Sequence, residues 1–289
     1  MKQKYQHVAF RIDTLKLIEV INKILDEYVD QGFKLTVRQL YYQLVSRDMI
    51  PNTEKSYKKI VQTVNDARTA GLIDWDVIED LTRSFITRGR WDTPAQIVRD
   101  AATGYHEDMW ENQESRVFCI IEKEALVSIF RRVCHTYDVP LLAARGYPSA
   151  SALREFAHDT VESCDQRVII LHLGDHDPSG IDMSRDLKER IQLFSFGAPI
   201  EFHRIALNME QVEEVKPPPN PAKQTDSRFY EYERMFGNKS WELDALSPSY
   251  LNKLVTNEIS LYIDDDRWDA KKAQIEENRS KLWQLADQL

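Results

Sequence analysis

The chain has 289 residues, of which 42% are hydrophobic, enough to bury one or two cores in an ordinary globular protein. No apolar stretch is long enough to cross a bilayer, and the opening MKQKYQHVAFRID lacks the apolar centre of a secretory signal, so the expectation is a cytoplasmic protein. A formal charge of −9 argues against a surface that is basic all over, but leaves room for a local basic face and for acids gathered around a cation.

Cys119, Cys134 and Cys164 form an odd set without CxxC spacing, which points to reduced thiols rather than a disulfide framework or a zinc ribbon. In chain order, DTLKLIEVINKILDEYV places Leu17, Ile18, Ile21, Ile24, Leu25 and Tyr28 on one helical stripe. Thr36 is a candidate N-cap for VRQLYYQLVSRD, which stops before Pro51. A third helix opens at Thr53 and closes at Gly71. Three short helices with tight connections predict a helix-turn-helix or winged-helix unit, followed by irregular sequence.

At Arg116 the rhythm changes. RVFCII, VPLLAARGYP, RVIILHLGD and IEFHRIAL read as strands, separated by EKEALVSIFRRVCHTY, SASALREFAHDT and GIDMSRDLKERIQLF, which read as helices. Strict alternation predicts right-handed crossovers and a mainly parallel sheet covered on both faces, where central strands are apolar throughout. VKPPPNPAKQTDSR reads as an extended surface segment, and the rest of the chain returns to helix.

The acids stand at the ends of the predicted strands. Glu122 follows VFCII, and Asp175 and Asp177 follow VIILHLG, so neighbouring strands bring three carboxylates to one sheet edge, where α/β sheets bind ligands. Oxygen-only donors suit a hard cation such as Mg2+. The competing reading makes Asp177-Pro178-Ser179-Gly180 a turn, with Asp175 capping the helix that begins near Ile181.

IIEKEA and LGDHDPSGID, with ARGYPSASALR between them, resemble the Toprim domain of topoisomerases, primases and related nucleases. The EKEA form and the GYPS segment are similar to the A subunit of type IIB DNA topoisomerases and the related meiotic double-strand-break transesterase. The resemblance runs from about Val37 to Leu246. It implies an α/β architecture: a winged-helix, CAP-like DNA-binding domain over 1–115, then a Rossmann-like Toprim domain over 116–289 with a helical C-terminal extension. It also implies Mg2+ on Glu122, Asp175 and Asp177, double-stranded DNA as substrate, and a homodimer in which one protomer's tyrosine meets the other's metal site. In prokaryotes this places the protein at the nucleoid. The family's ATPase is a separate GHKL-type B subunit; this chain looks like a compact, stand-alone A-like member. Glu124 matches the motif's second acid and is either an accessory group or a helix-dipole partner. Glu242 and Asp244 lie in a segment that resembles the end of the family's Toprim region and are read as structural.

The family's nucleophile helix is similar to TVRQLYYQLV. At about 100° per residue Val37, Leu40, Tyr41 and Leu44 share one face, while Arg38 and Tyr42 share a flank. Tyr41 is then the core residue and Tyr42 the nucleophile, second in the pair as in the family. A phenol with an ordinary pKa of about 10 needs activation; Arg38, one turn earlier, is expected to favour the phenolate, with Glu122 and the metal organising the phosphate. Lys58, Lys59 and Arg68 on the third helix, and Arg83, Arg88 and Arg90 beside Trp91, are candidate DNA contacts, though a solvated helix face and a surface loop would read alike. His172, inside a strand, reads as a core histidine. His176, between the two aspartates, either contacts the scissile phosphate or points to water. Two other functions stay open: a Toprim nuclease that cuts with water, and a module that binds DNA or a partner without cutting.

Overall fold

The computed structural model describes residues 2–79, 89–144, 146–162 and 164–289. Three helices come first: α1 (Ile12–Asp30), α2 (Val37–Ser46) and α3 (Glu54–Thr69). The stripe of α1 buries Ile18, Ile21, Ile24, Leu25 and Tyr28. Thr36 opens α2 with a capping box, its hydroxyl taking the Gln39 N–H while the Gln39 side chain takes the Thr36 N–H. Thr53 caps α3, and Gly71 ends it at φ +75°, where a Cβ would stand 2.9 Å from the Lys4 nitrogen. The three helices share a core that includes Ile21, Leu40, Leu44, Ile60 and Val64, and Ala245 joins it from far along the chain. Among the described residues this region's only β-pairing is the isolated bridges Lys4–Ala70 and Leu35–Ile78, so it shows a helical unit without a hairpin. After α4 (Pro94–Gly104) the chain enters the sheet.

The alternation then follows: β1 (Ser115–Ile121), α5 (Val127–Thr136), β2 (Leu141–Ala143), α6 (Ala150–Phe156), β3 (Arg167–Leu173), α7 (Pro178–Phe194) and β4 (Ile200–Ala206). The four strands are parallel in the order β2-β1-β3-β4. From Val168 to Leu173 every residue of β3 is buried, as a strand covered on both faces requires. Val117, Cys119, Ile121, Ile169 and Leu171 pack with Ile129 and Phe130 of α5, while Phe118, Ile120 and Ile170 pack on the opposite face with Leu153, Met183 and Leu187. Cys119 and Cys134 are buried free thiols, as their spacing predicts, and Cys164 is partly buried.

The strand order reverses between β1 and β3. Their carboxyl ends are followed by connections that leave in opposite directions, which opens a crevice above the sheet. Beyond α8 (Met209–Val215), β5 (Asn220–Pro221) pairs antiparallel with β6 (Lys239–Ser240), with α9 (Phe229–Phe236) between them. The chain closes with α10 (Pro248–Ser260) and α11 (Asp265–Ala286), and α11 packs along α4. No helix among the described residues is long and apolar enough to cross a membrane.

Candidate active cleft

The crevice has a floor made by the strand ends. Glu122 N–H donates to the Leu173 carbonyl at 2.9 Å, and Glu122 Oε2 accepts from the Asp175 N–H at 2.9 Å. Two glycines make this approach possible: a Cβ at Gly174 would lie 2.9 Å from Glu122 Oε2, and one at Gly180 would lie 2.3 Å from the Asp175 carbonyl and 3.1 Å from Glu122 Oε2. Asp175 Oδ1 accepts from the Leu243 N–H at 2.8 Å, and its Oδ2 lies 3.0 Å from Lys123 Nζ. Asp177 Oδ1 accepts from the Gly180 N–H at 2.6 Å and from the Ser179 hydroxyl at 3.0 Å. The cap of α7 is therefore Asp177, not Asp175.

Glu122, Asp175 and Asp177 share one sheet edge, but their oxygens turn to separate partners. Among the described residues no three His, Cys, Asp or Glu side chains are grouped to hold a metal ion, so the expected convergence on one point is not what this arrangement shows. The donor set still fits a hard divalent cation in its chemistry, being oxygen-only. The electrostatics agree. Burial first, then the charge of Asp177, raises the Glu122 carboxyl, and burial raises that of Asp175 to about 7 despite Lys123.

Beneath the acids lies Arg204, which reaches in from β4. It donates to the carbonyls of Gly180 (2.9 Å), Gly174 (3.0 Å), Asp175 (2.6 Å) and Leu207 (3.2 Å) and to Ser184 Oγ (2.7 Å). It thus fixes the backbone of the acid-bearing loop, and burial lowers its own value to about 10 against the pull of Glu122, Asp175 and Asp177. Sequence reasoning missed it, because in IEFHRIAL the arginine stands beside Glu201 and His203 and reads as one more polar residue of a mixed strand.

The wall of the crevice comes from α2 and the segment after β6. Arg38, Tyr41, Tyr42, Lys123, Glu124, Asp175, Asp177, Glu242 and Asp244 all line one cleft of about 660 Å3. Arg38 bonds to Glu242 and, through Nε at 2.7 Å, to Asp244 Oδ2. Lys123 Nζ lies 2.8 Å from Glu242 Oε2 and 3.0 Å from Asp244 Oδ1. Reading Glu242 and Asp244 as structural only is therefore incomplete, because they hold two cations of the cleft, Arg38 and Lys123. Lys123, inside the EKEA motif but given no role by the sequence, is one of those cations.

The two tyrosines depart from the helical-wheel expectation in one respect. Tyr41 sits against Asn52 Oδ1 (2.9 Å) and the Thr53 carbonyl (3.2 Å), and its ring meets that of Tyr57. Tyr42, expected on a flank, is as deeply buried as Tyr41, at 4% exposure each. The cause is tertiary: the segment Leu243–Ala245 folds over α2. Arg38 stands 5.8 Å from the centre of the Tyr42 ring. Its lowering effect on the phenol is outweighed first by burial, then by the charges of Glu242 and Asp244, which push Tyr42 well above its ordinary value. Arg38 does not, in this arrangement, activate the phenol.

No protein-family model matches the chain, and no curated protein matches it.

The remaining expectations divide. Glu124 begins a short turn and lines the cleft. His176 is corrected: it is 1% exposed, its Nδ1 is 2.8 Å from Tyr232 Oη, its backbone pairs with Trp241, and its ring packs on Phe236 and Trp241. Burial lowers it to about 4, so at neutral pH it is an uncharged core group that neither meets a phosphate nor points to water. His172 is the core histidine expected, bonded through Nδ1 to Ser184 Oγ at 3.0 Å, with its Nε2 lacking a partner. Arg68 is also corrected, because it donates to the Trp75 carbonyl at 2.6 Å and stacks on the Trp75 ring at 4.5 Å, which makes it a clasp within the helical unit. Lys58 pairs with Glu54 at 2.7 Å on an exposed face, and Lys59 is exposed beside it. Arg90 is exposed, while Arg83 and Arg88 lie outside the described residues.

Proposed function

We propose that this cleft breaks DNA by tyrosine transesterification, as in the A subunit of type IIB topoisomerases, with the helical unit acting as its winged-helix counterpart and the sheet as its Toprim domain. The observation that carries this reading is that Tyr42, Arg38, Asp175 and Asp177, although distant in sequence, line a single cleft, with Glu122 bonded to the Asp175 N–H beside it. Tyr42 Oη attacks a backbone phosphorus, the bond from phosphorus to the 3′ oxygen breaks, and the 5′ phosphate passes to the tyrosine. The phenolic proton is lost, the 3′ oxygen gains one, and rejoining needs no new energy source. Arg38 is the group that would stabilise the phosphorane once the cleft-facing Glu242 yields it. A divalent cation such as Mg2+, held by Glu122, Asp175 and Asp177, would neutralise the phosphate and complete the charge balance of the floor. Double-stranded DNA, a homodimer and a separate ATPase partner belong to the same proposal, but Tyr42 here shares a cleft with Asp175 and Asp177 of its own chain, unlike the expected meeting of one protomer's tyrosine with the other's metal site.

The burial of Tyr42 favours a second reading, in which water is the nucleophile and Tyr42 is structural. One assay separates the two: duplex DNA is incubated with protein and Mg2+, the protein is denatured, and the 5′ ends are examined for attached protein. The transesterase predicts a covalent adduct that falls by about 10^3-fold or more in Tyr42→Phe. Free ends produced equally well by Tyr42→Phe establish hydrolysis, and intact DNA under every divalent metal refutes both.

A further inference from the structure

Arg38, Lys123, Glu242 and Asp244 form a closed ring of charges. Each carboxylate bridges the same two cations: Glu242 Oε2 meets Arg38 Nη2 and Lys123 Nζ, and Asp244 meets Arg38 Nε through Oδ2 and Lys123 Nζ through Oδ1. The ring joins α2, the tip of β1 and the segment after β6. The two carboxylates are nonetheless unlike. The Asp244 side chain is 0% exposed and gives a separate oxygen to each cation. The Glu242 side chain is 25% exposed at the cleft and offers one oxygen to both, while its Oε1 lies 3.3 Å from Asn220 Nδ2.

A single anionic oxygen that accepts from a guanidinium and an ammonium together has the bonding of a non-bridging phosphate oxygen. Arg38, 42% exposed, opens to the same cleft. Building on the DNA reading above, we infer that Glu242 occupies the seat of a backbone phosphate: a phosphodiester of the substrate displaces it from Arg38 and Lys123, while the buried Asp244 keeps both cations in place.

The test is binding of a labelled duplex to the full chain in EDTA, across a salt series, so that cleavage does not interfere. Glu242→Gln keeps the shape and removes the charge. Because it empties the seat of an anion, it is expected to bind roughly three- to tenfold more tightly at low salt, with a slope of log affinity against log salt steeper by about 0.9. Arg38→Gln is expected to weaken binding and flatten the slope by a similar amount. Equal or weaker binding by Glu242→Gln with an unchanged melting temperature overturns the inference. So does an unchanged salt slope in Arg38→Gln, which keeps the test open should Glu242→Gln fold poorly. Failure of the unaltered chain to bind duplex at all overturns the DNA reading itself, a result distinct from either of these.

Discussion

The floor and the wall of the cleft use the same kinds of side chain and reach opposite electrostatic states. On the floor, burial raises the carboxyls of Glu122 and Asp175 even though Lys123 stands 3.0 Å from Asp175 Oδ2, and Arg204 directs its bonds to carbonyls and a hydroxyl. On the wall, Lys123 and Arg38 bring Glu242 down to about 2 and are themselves raised by the acids they hold. The difference teaches what each region lacks. The floor has anions in excess and calls for a cation, whereas the wall is balanced internally and can only exchange one anion for another.

The sharpest way to break this contrast is to remove the cation beneath the floor. Arg204→Met leaves four carbonyls and the Ser184 hydroxyl without their donor and is expected to cost about 3–5 kcal/mol in urea denaturation. Arg204→Lys is expected to recover only part of that, since an ammonium lacks the guanidinium fork. On the wall, Asp244→Asn leaves Arg38 and Lys123 short of a buried anion; the expected loss is smaller, about 2 kcal/mol, because solvent reaches Arg38.

The smallest effect is read in pH. The folded chain holds the Asp175 proton more tightly than the unfolded chain, so stability falls as pH rises from about 4 to about 7. Asp175→Asn removes that slope, and its melting temperature is expected to stay flatter than that of the unaltered chain by about 2–4 °C over this range without divalent metal. Glu242 acts in the opposite sense: its contribution is complete above the unfolded value of about 4.3 and is lost as pH falls through about 2. Because the buried, uncharged His172 and His176 add a rise of their own over this range, the test is the difference between the two chains: a gap between the unaltered chain and Asp175→Asn that does not change from pH 4 to 7 contradicts the assignment of an anion excess to the floor.

Much of the frame was legible because its signals are local. Buried parallel strands read as unbroken apolar runs, helices announced themselves by stripes and by Thr36 and Thr53 caps, and Glu122, Asp175 and Asp177 stood directly after strands. What each acid bonds to was not legible, because the partners come from elsewhere. Asp175 meets Leu243, and Arg38 meets Asp244 across 206 residues, contacts that no spacing rule reports. Tyr42 and His176 were misplaced for the same reason: each is covered by residues beyond Pro221, which turn a flank and a loop into core. Arg204 was not legible either: it lies in a strand that also carries Glu201 and His203, and its carbonyl partners come from Gly174, Asp175 and Gly180.

The most direct measurement of the central claim is the identity of the atom that receives the DNA. After reaction with duplex and Mg2+, exhaustive nuclease treatment and tryptic digestion, the peptide Gln39–Arg47 is sequenced by mass spectrometry. A 5′-linked nucleotide on Tyr42 is the predicted result. A nucleotide on Tyr41, or DNA cut with an unmodified peptide, contradicts it.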